Sequence, residues 1–321
     1  MKKTFIFKVS SSERIGSGHI YRTLKIARQL KKNEVFFLTQ NFKKNFNYLL
    51  KKYKYKVLKN SEKNFDVYKD LYDTINIIKK IKGKKILIIY NYINKYFWQK
   101  EVSKYVDKIV LINDLIKKNY CDLYINENFF LYKIHKKFFL KKNCQKLIGP
   151  KYSIILPKKL SNKKIKNNIF LFFGGSDKKK ISYKVLKQLN LLKILRFNLI
   201  LNDYKLINKI KRLKIKNLTI FAQNFNFYKI ISKCSFGVIA GGSTVWDMFY
   251  NKLPFIAIPV AKNQLENLIN LEKKKYIYIY IKEINKNFKE YFNRCINKKL
   301  KPNKLVDGHG IQRVSNKIQN L

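Results

Sequence analysis

The chain has 321 residues, about twice the length of a typical domain, so two domains with their own cores are expected. It contains 71 lysines and arginines against 19 acidic residues, and a net charge of +52 attracts nucleic acids and anionic membranes. Because the basic residues are spread from Lys2 to Lys317, we attribute the charge to compositional bias and expect no specific nucleic-acid partner.

The cysteines and the hydropathy pattern exclude further classes of protein. No C-x-x-C pair occurs among Cys121, Cys144, Cys234 and Cys295, so neither a zinc site nor a disulfide framework is predicted. The apolar run in residues 1–12 is too short for a signal peptide, and no stretch approaches the roughly 18 apolar residues of a membrane span. We therefore expect a cytoplasmic protein with reduced thiols.

Short apolar runs alternate with helical segments along the whole chain. In chain order the runs are TFIFKV, EVFFLT, KKILIIYNYI, KIVLIN, CDLYIN, NNIFLFF, RFNLIL, LTIFA, FGVIA and PFIAIPV. Runs of β-branched and aromatic residues of this length are typical of strands buried on both faces of a parallel sheet. The alternation predicts an α/β architecture, and the polar segment 157–168 predicts a linker between two doubly wound halves. The run YIYIYI at 276–281 is either an edge strand or aromatic filler.

The first predicted strand leads into a glycine-rich loop, SSSERIGSGH. Gly16 and Gly18 permit a tight turn and the close approach of a ligand. The helix that follows has one apolar face, formed by Ile20, Leu24, Ala27 and Leu30, with Arg22, Lys25 and Arg28 directed elsewhere. His19 lies in the first turn, where the helix dipole lowers the pKa of an imidazole, so a neutral ring able to accept a proton is predicted. A capping or packing role for His19 is the alternative.

Two further loops in the second half follow the same pattern. In FFGGSD, Gly174, Gly175 and Ser176 predict either ligand contact or a tight turn with Ser176 or Asp177 as the helix cap. In VIAGGSTVWDMFY the four small residues offer amides and hydroxyls suited to a diphosphate, with a plain capped helix as the alternative; they are Gly241, Gly242, Ser243 and Thr244. Asp247, one turn later, is predicted to reach ribose hydroxyls.

A final strand, PFIAIPV, is followed by the polar pair Asn263 and Gln264. Neutral amide side chains of this kind are suited to orienting a sugar or a nucleotide. On its own such a pair is more often part of a solvated loop.

These motifs, taken in order, resemble a known family. The pattern is S-S-x-x-I-G-x-G-H-x-x-R-x-L-x-x-A-x-x-L, then F-x-G-G-S-D, then A-G-G-S-T-x-W-(D/E), then a strand closed by K-N-Q. It is similar to the UDP-sugar hydrolases of pseudaminic acid synthesis, which are SpsG-like proteins, and more distantly to the UDP-GlcNAc transferases of peptidoglycan synthesis. The segments KILIIYNY, NDLIKKNYCDLYIN, GPKYSIILP and DGHGIQRV agree in order, so the likeness covers nearly the whole chain.

The resemblance implies a GT-B fold, in which two Rossmann-like domains face an interdomain cleft. Residues 1–157 then form the N-terminal domain with the catalytic base, 158–305 the nucleotide-binding domain, and 306–321 a closing C-terminal helix. The resemblance assigns His19 as the base, with Tyr92 and Asn263 as the other active-site residues. It places Gly16, Gly18, Arg22, Gly174, Gly175, Ser176, Gly241, Gly242, Ser243, Thr244, Asp247 and Gln264 around substrate or nucleotide.

The implied reaction is metal-independent hydrolysis of a UDP-linked diacetamido-trideoxy sugar, with attack of water at the anomeric carbon and inversion. No cofactor is implied, and a monomer is favoured. Two alternatives remain: a glycosyltransferase of the same fold that uses a nucleotide-sugar donor, and a non-catalytic basic protein that binds nucleotides or polyanions.

Several positions depart from the family pattern. Lys8 and Ser10 replace an R-x-D element, and Tyr90 with Asn91 stands where relatives carry an aspartate. Leu156 replaces an arginine, and Asp247 is shorter than the glutamate of relatives. These departures predict that the sugar-facing residues differ more from the family than the nucleotide-facing residues do.

Overall fold

A computed structural model describes residues 3–30, 33–115, 117–131, 140–156, 163–175, 177–222, 227–298, 300 and 304–321. The chain divides into two compact units, one formed by Met1–Leu156 with His309–Leu321 and the other by Pro157–Gly308. The assignment of a base-carrying and a nucleotide-binding domain stays a prediction. Part of the predicted linker, residues 157–162, lies outside the described residues.

The first unit is built on a seven-stranded sheet in which every paired strand is parallel. Its strands and helices are β1 (Lys3–Val9), α1 (Gly18–Gln29), β2 (Glu34–Gln40), β3 (Lys54–Leu58), α2 (Val67–Lys79), β4 (Lys84–Tyr90), α3 (Tyr96–Val102), β5 (Lys108–Ile112), β6 (Leu123–Asn126) and β7 (Gln145–Ile148). The strand order is β3-β2-β1-β4-β5-β6-β7, so the chain winds outwards in both directions from β1 and β4.

Both faces of this sheet are covered, as the continuous apolar runs predict. Phe5, Phe7 and Val9 of β1 pack in one cluster with residues of α1, whereas Ile6 belongs to the cluster on the other face, with residues of α2 and α3. The predicted apolar face of α1 is confirmed, because Ile20, Leu24, Ala27 and Leu30 are all buried. A strand that buries alternate residues on opposite faces needs an unbroken apolar sequence.

The second unit repeats this plan with six parallel strands in the order β10-β9-β8-β11-β12-β13. Its elements are β8 (Asn168–Phe172), α4 (Ile181–Leu189), β9 (Arg196–Ile200), α5 (Tyr204–Lys211), β10 (Leu218–Phe221), α6 (Phe227–Ile231), β11 (Phe236–Ala240), α7 (Thr244–Tyr250), β12 (Phe255–Ile258), α8 (Lys262–Lys273), β13 (Tyr278–Ile279) and α9 (Lys286–Ile296). The YIYIYI run therefore supplies a short edge strand. None of the described helices is both long and apolar enough to cross a bilayer.

The C-terminal helix α10 (Gly310–Gln319) packs in the first unit against α1 and the turn at Pro150–Tyr152. Its first residue makes an unusually close approach: a Cβ on Gly310 would lie 2.4 Å from the backbone oxygen of Ser153. Only glycine fits there without a shift of the backbone.

Replacing Gly310 with alanine should therefore lower the free energy of unfolding by about 1–3 kcal/mol, the usual cost of overpacking. Chemical denaturation followed by circular dichroism measures this loss. Asn316→Ala, at an exposed position of the same helix, is the control and should stay within about 0.5 kcal/mol. Equal stability of the two variants would contradict the packing argument.

Candidate active site

The loop after β1 is held in shape by its own hydrogen bonds. The hydroxyl oxygen of Ser12 accepts hydrogen bonds from the amides of Arg14 and Ile15, at 3.0 and 2.9 Å. The backbone carbonyl of Ser12 accepts a further hydrogen bond from the amide of Gly16 at 2.8 Å. Gly16 has φ +83°, a conformation that favours glycine, although a Cβ there would meet open space. The loop delivers the chain to Gly18, the exposed first residue of α1.

His19 lies at the carboxyl end of the sheet between two tyrosines. Only 7% of the residue is exposed. The centroid of its ring is 4.4 Å from that of Tyr90 and 5.0 Å from that of Tyr92, which stands edge-on. Its Nδ1 atom is buried and has no hydrogen-bond partner among the described residues. A buried polar atom without a partner is uncommon away from functional sites.

The surroundings keep His19 uncharged. Burial, followed by the nearby Arg22 guanidinium, lowers the pKa of His19 to about 3, although a hydrogen bond to the backbone of Ser10 acts in the opposite direction. At neutral pH one ring nitrogen therefore carries a lone pair that can accept a proton. The sequence predicted a neutral imidazole from the helix dipole; the structure gives burial and Arg22 as the larger causes.

Arg22 lies off the apolar face of α1, as predicted, but its side chain is nevertheless mostly buried. Its Nη1 donates to Oε1 of Glu127 at 2.6 Å, and its guanidinium carbon lies 5.1 Å from the centroid of the Tyr90 ring. Burial opposes the charge of Arg22, but Glu127 and its neighbours raise the pKa of the guanidinium overall, so it stays protonated. The side chain is 18% exposed, because α1 turns it over the end of the sheet.

Tyr92 follows β4 and is 38% exposed, so it is the more accessible of the two tyrosines. Burial of its hydroxyl and the hydrogen-bonded carboxylate of Asp114 together raise its pKa. The phenol therefore keeps its proton and has an acidic partner that fixes its direction.

Asp114 and Glu127 are the site residues that sequence reasoning missed. Each is placed within two residues of the end of a strand, Asp114 after β5 and Glu127 directly after β6. Carboxyl ends of parallel strands meet at one edge of the sheet, so the dipeptides ND and NE that follow the two runs were the available signal.

The departures at the start of the chain have a structural explanation. Lys8 is fully buried, and its Nζ lies 2.6 Å from Oδ1 of the equally buried Asp70. Gln40 and Asn94 also donate to Asp70, the latter at 2.9 Å, and Asn91 donates to Oδ1 of Asn94 at 2.6 Å. Lys8 and Asn91 thus belong to a buried polar network beside the candidate site.

The Gly174 loop in the second unit is a tight turn at the end of β8. Gly174 has φ +88°. Asp177 accepts from the amides of Ile181 and Ser182, at 2.9 and 2.7 Å, so it satisfies the first turn of α4 as a cap does. Ser176 lies outside the described residues.

The Gly241–Thr244 loop combines packing with accessible groups. A Cβ on Gly241 would lie 2.3 Å from the side chain of Leu268, so this glycine permits close contact with α8. Gly242, Ser243 and Thr244 are partly exposed, and no described side chain caps the helix that begins there. These three residues thus form a partly exposed start of α7.

Asp247, the predicted ribose ligand, is only 7% exposed. One of its carboxylate oxygens accepts a hydrogen bond from the hydroxyl of Tyr228, on α6. A ribose held by Asp247, as predicted, would therefore share the carboxylate with the hydroxyl of Tyr228.

Asn263 and Gln264 are in the first turn of α8, both partly exposed. Gln264 accepts from the amide of Val260 at 2.8 Å, and its Nε2 lies 3.7 Å from the position of a Cβ on Gly242. Gln264 therefore connects its own loop to the Gly241–Thr244 loop. Asn263 directly precedes Gln264 in the first turn of α8.

The structure thus brings the predicted residues together in two sets. Gly16, Gly18, His19, Arg22 and Tyr92 gather at the end of the first sheet, and Gly241–Thr244 with Gln264 gather at the end of the second. Within the described ranges, no three His, Cys, Asp or Glu side chains are arranged to hold a metal ion.

Comparison with known proteins finds relatives over most of the chain. The chain is 27% identical over 277 residues to the UDP-2,4-diacetamido-2,4,6-trideoxy-β-L-altropyranose hydrolase of Campylobacter jejuni, covering 84% of this chain and 97% of that protein. It is 26% identical over 282 residues to an uncharacterized protein of Methanocaldococcus jannaschii, covering 79% of this chain and 55% of the other. No protein-family model matches the chain.

Solved structures identify the fold. MurG of Acinetobacter baumannii aligns over 100% of both chains with a TM-score of 0.69 at 15% identity. The calicheamicin glycosyltransferase CalG4 aligns over 100% of this chain and 95% of its own, with a TM-score of 0.63 at 9% identity. The predicted GT-B fold is confirmed. The chain has that fold and is similar along most of its length to a curated UDP-sugar hydrolase, as its motifs indicated.

Proposed function

We propose that this protein hydrolyses a UDP-linked diacetamido-trideoxy sugar. Water attacks the anomeric carbon, the bond from that carbon to the diphosphate breaks, and UDP leaves with inversion. The similarity to the Campylobacter hydrolase carries the proposal, because it extends over nearly the whole of that protein. The neutral His19 at the carboxyl end of the first sheet supports it.

His19 is proposed as the general base. Its pKa of about 3 makes it a weak base that stays unprotonated, so its lone pair is available whenever substrate binds. Positioned general bases contribute about 10²–10⁴ in rate, most when their pKa lies near the working pH. The water loses its proton to the imidazole as its oxygen bonds to the anomeric carbon.

Tyr92 and Asn263 are proposed to position the reactants. Tyr92 is accessible and protonated, and its hydroxyl proton is engaged by Asp114, so its oxygen can accept a hydrogen bond from the water or from a sugar hydroxyl or amide. Asn263 offers both a donor and an acceptor to the sugar or the diphosphate. Both roles require that the two sets of residues reach the same substrate molecule.

The second unit is proposed to hold the nucleotide. The amides and hydroxyls of Gly241–Thr244 are the proposed contacts of the diphosphate, with Gly174 and Gly175 at its side and Asp247 at the ribose. Negative charge grows on the leaving diphosphate, and fixed amides together with nearby lysines or arginines stabilise such charge without reorganisation. In this proposal no step requires a metal.

A substrate panel tests the proposal. The protein is incubated with UDP- and CMP-linked sugars in the absence of any acceptor, and free nucleotide and the anomeric configuration of the first-formed sugar are followed by NMR. We expect release of UDP from the diacetamido-trideoxy sugar with inverted configuration. Release that needs an added acceptor would indicate a glycosyltransferase, and retained configuration would contradict direct attack by water.

A further inference from the structure

Glu127 is a buried carboxylate that stands behind the candidate base. Only 5% of it is exposed. Its Oε1 accepts from Arg22 at 2.6 Å, and its Oε2 accepts from the backbone amide of Ile154 at 3.3 Å. Because both oxygens are engaged, the carboxylate has a fixed position from which to direct the guanidinium.

The Arg22 guanidinium links Glu127 to His19 through an aromatic ring. It packs against Tyr90, and Tyr90 in turn packs against the imidazole, with centroid distances of 5.1 and 4.4 Å. The Nε of Arg22 is buried and has no hydrogen-bond partner among the described residues. The direction of the guanidinium therefore depends on Glu127 and on this stack.

We propose that Glu127 is a positioning residue: its ion pair holds the Arg22 guanidinium against Tyr90, and this stack fixes the imidazole of His19 for its role as base. The inference rests on the proposed function, since only there does His19 act as a base. Glu127 acts through Arg22.

The charges around His19 determine whether a substitution raises or lowers the pKa of its imidazole. The groups that pack against His19 or act on its charge are Arg22 on its own helix, Tyr90 at the end of β4, Tyr92 after β4 and the backbone of Ser10, while Asp114 and Glu127 act on Arg22. The positive Arg22 lowers the pKa of His19. Loss of Arg22 therefore raises that pKa, and the unpaired Glu127 left behind raises it further.

Enzyme kinetics tests the positioning role. Glu127→Gln should lower kcat by about tenfold or more while KM changes less than about threefold, because the base is displaced and binding is kept. Glu127→Asp keeps the charge and should recover part of the loss. The matched control is Asp122→Asn, since Asp122 is a carboxylate at the start of β6 that pairs with Lys141 at 2.7 Å. Equal kcat in Glu127→Gln and wild type, or an equal loss in Asp122→Asn, would overturn the inference.

An NMR titration of the imidazole gives a readout that needs no activity. Wild-type His19 should stay neutral to the lowest pH at which the protein is folded. The NMR signal of His19 is assigned as the one that is missing from the spectrum of His19→Asn. Arg22→Gln should raise its pKa by about one unit or more, and adding Glu127→Gln should reverse part of that rise. If no variant, nor the wild type, hydrolyses the sugar yet this coupling is present, the proposed reaction fails while the link from Glu127 through Arg22 to His19 stands. If the wild type hydrolyses the sugar without such coupling, the inference on Glu127 is overturned.

A second inference comes from two cysteines that the sequence separates and the fold joins. The sulfur atoms of Cys121 and Cys144 are 3.6 Å apart. The two residues precede β6 and β7, which pair with Leu123 opposite Gln145. In this register the two cysteines are offset by one residue, so the closeness of their sulfur atoms, rather than the strand spacing, is what suits a disulfide.

The two thiols differ in reactivity. Contact with Cys121 and the charge of Lys146 lower the pKa of the partly exposed Cys144, against the effect of burial. Contact with Cys144 and burial raise the pKa of Cys121. Because Cys144 is partly exposed and Cys121 is buried, an oxidant in solution reaches Cys144 first and Cys121 resolves the product.

We propose that Cys121 and Cys144 form a reversible disulfide with a small-molecule disulfide as the oxidant. The Cys144 thiolate attacks one sulfur of the oxidant, which releases a thiolate and leaves a mixed disulfide on the protein. Cys121 then gives up its proton to solvent, its sulfur bonds to that of Cys144, and the second small thiolate leaves. The protein loses two electrons and two protons, and the oxidant is reduced to two thiols.

Mass spectrometry of the full chain tests this site with oxidised glutathione as the probe. After unfolding and alkylation, the wild type should carry two alkyl groups instead of four and give a non-reduced peptide joining Cys121 to Cys144, both reversed by dithiothreitol. Cys121→Ser should stop at the mixed disulfide and Cys144→Ser should give neither product, with Cys234 and Cys295 as internal controls that stay alkylatable after unfolding. A mixed disulfide that persists in the wild type would overturn the proposal.

Discussion

Replacement of His19 with asparagine should lower kcat by about 10²–10⁴-fold and leave UDP binding nearly unchanged. Asparagine keeps a polar side chain of similar reach but cannot take up a proton at neutral pH. The buried ring lies between Tyr90 and Tyr92, where its lone pair is the group that the proposed mechanism requires. Steady-state hydrolysis and calorimetric titration with UDP measure the two effects separately.

The control is His309→Asn, at an exposed histidine beside α10, which should retain full activity. The pH profile gives a further check. Because the pKa of His19 is lowered to about 3, the base is lost only on strong acidification, and kcat/KM should show no acid limb near the ordinary histidine pKa of about 6.5. Parallel loss of activity and UDP binding in His19→Asn would indicate a structural role.

Replacement of Asp70 with asparagine should lower the free energy of unfolding by about 3–5 kcal/mol, because it leaves the Lys8 ammonium buried without its carboxylate. Both side chains are fully buried, and burial lowers the pKa of Lys8 against the attraction of Asp70. Without Asp70 that pKa falls further. A lysine whose folded pKa is lowered gains stability as the pH rises, so the deficit of the variant should narrow in alkaline solution.

Denaturant unfolding measured across pH tests this prediction with two comparisons. Adding Lys8→Met removes the unpaired ammonium, so the double variant should be more stable than Asp70→Asn alone. Glu34→Gln breaks the exposed pair with Lys54 and should cost at most about 1 kcal/mol. A deficit for Asp70→Asn no larger than that of Glu34→Gln would show that the buried network does not stabilise the fold.

The sequence predicted central strands better than edge strands, for a physical reason. Strands such as β1 and β4 are buried on both faces and read as continuous apolar runs. β3 and β7, the two edges of the first sheet, went unpredicted: KYKVL has four exposed residues of five, and QKLI has two of four. An edge strand partly in contact with water needs no apolar run, so only its pairing with a neighbour reveals it.

At the candidate site, sequence reasoning likewise missed residues whose role depends on partners far along the chain. A glycine loop followed by a histidine is visible in one stretch of sequence, and so His19 was found. Glu127 and Asp114 act through partners far along the chain, since Arg22 and Glu127 are 105 residues apart. Such contacts follow from strand order, which the alternation of elements alone does not give.

The central claim is that water attacks the anomeric carbon of a UDP-sugar, and the fate of the oxygen atom of that water tests it most directly. Hydrolysis in H₂¹⁸O, followed by mass spectrometry of both products, shows which bond breaks. We predict that the label enters the anomeric hydroxyl of the released sugar and is absent from UDP, because water attacks carbon. Label in the terminal phosphate of UDP would show attack at phosphorus and would contradict the account.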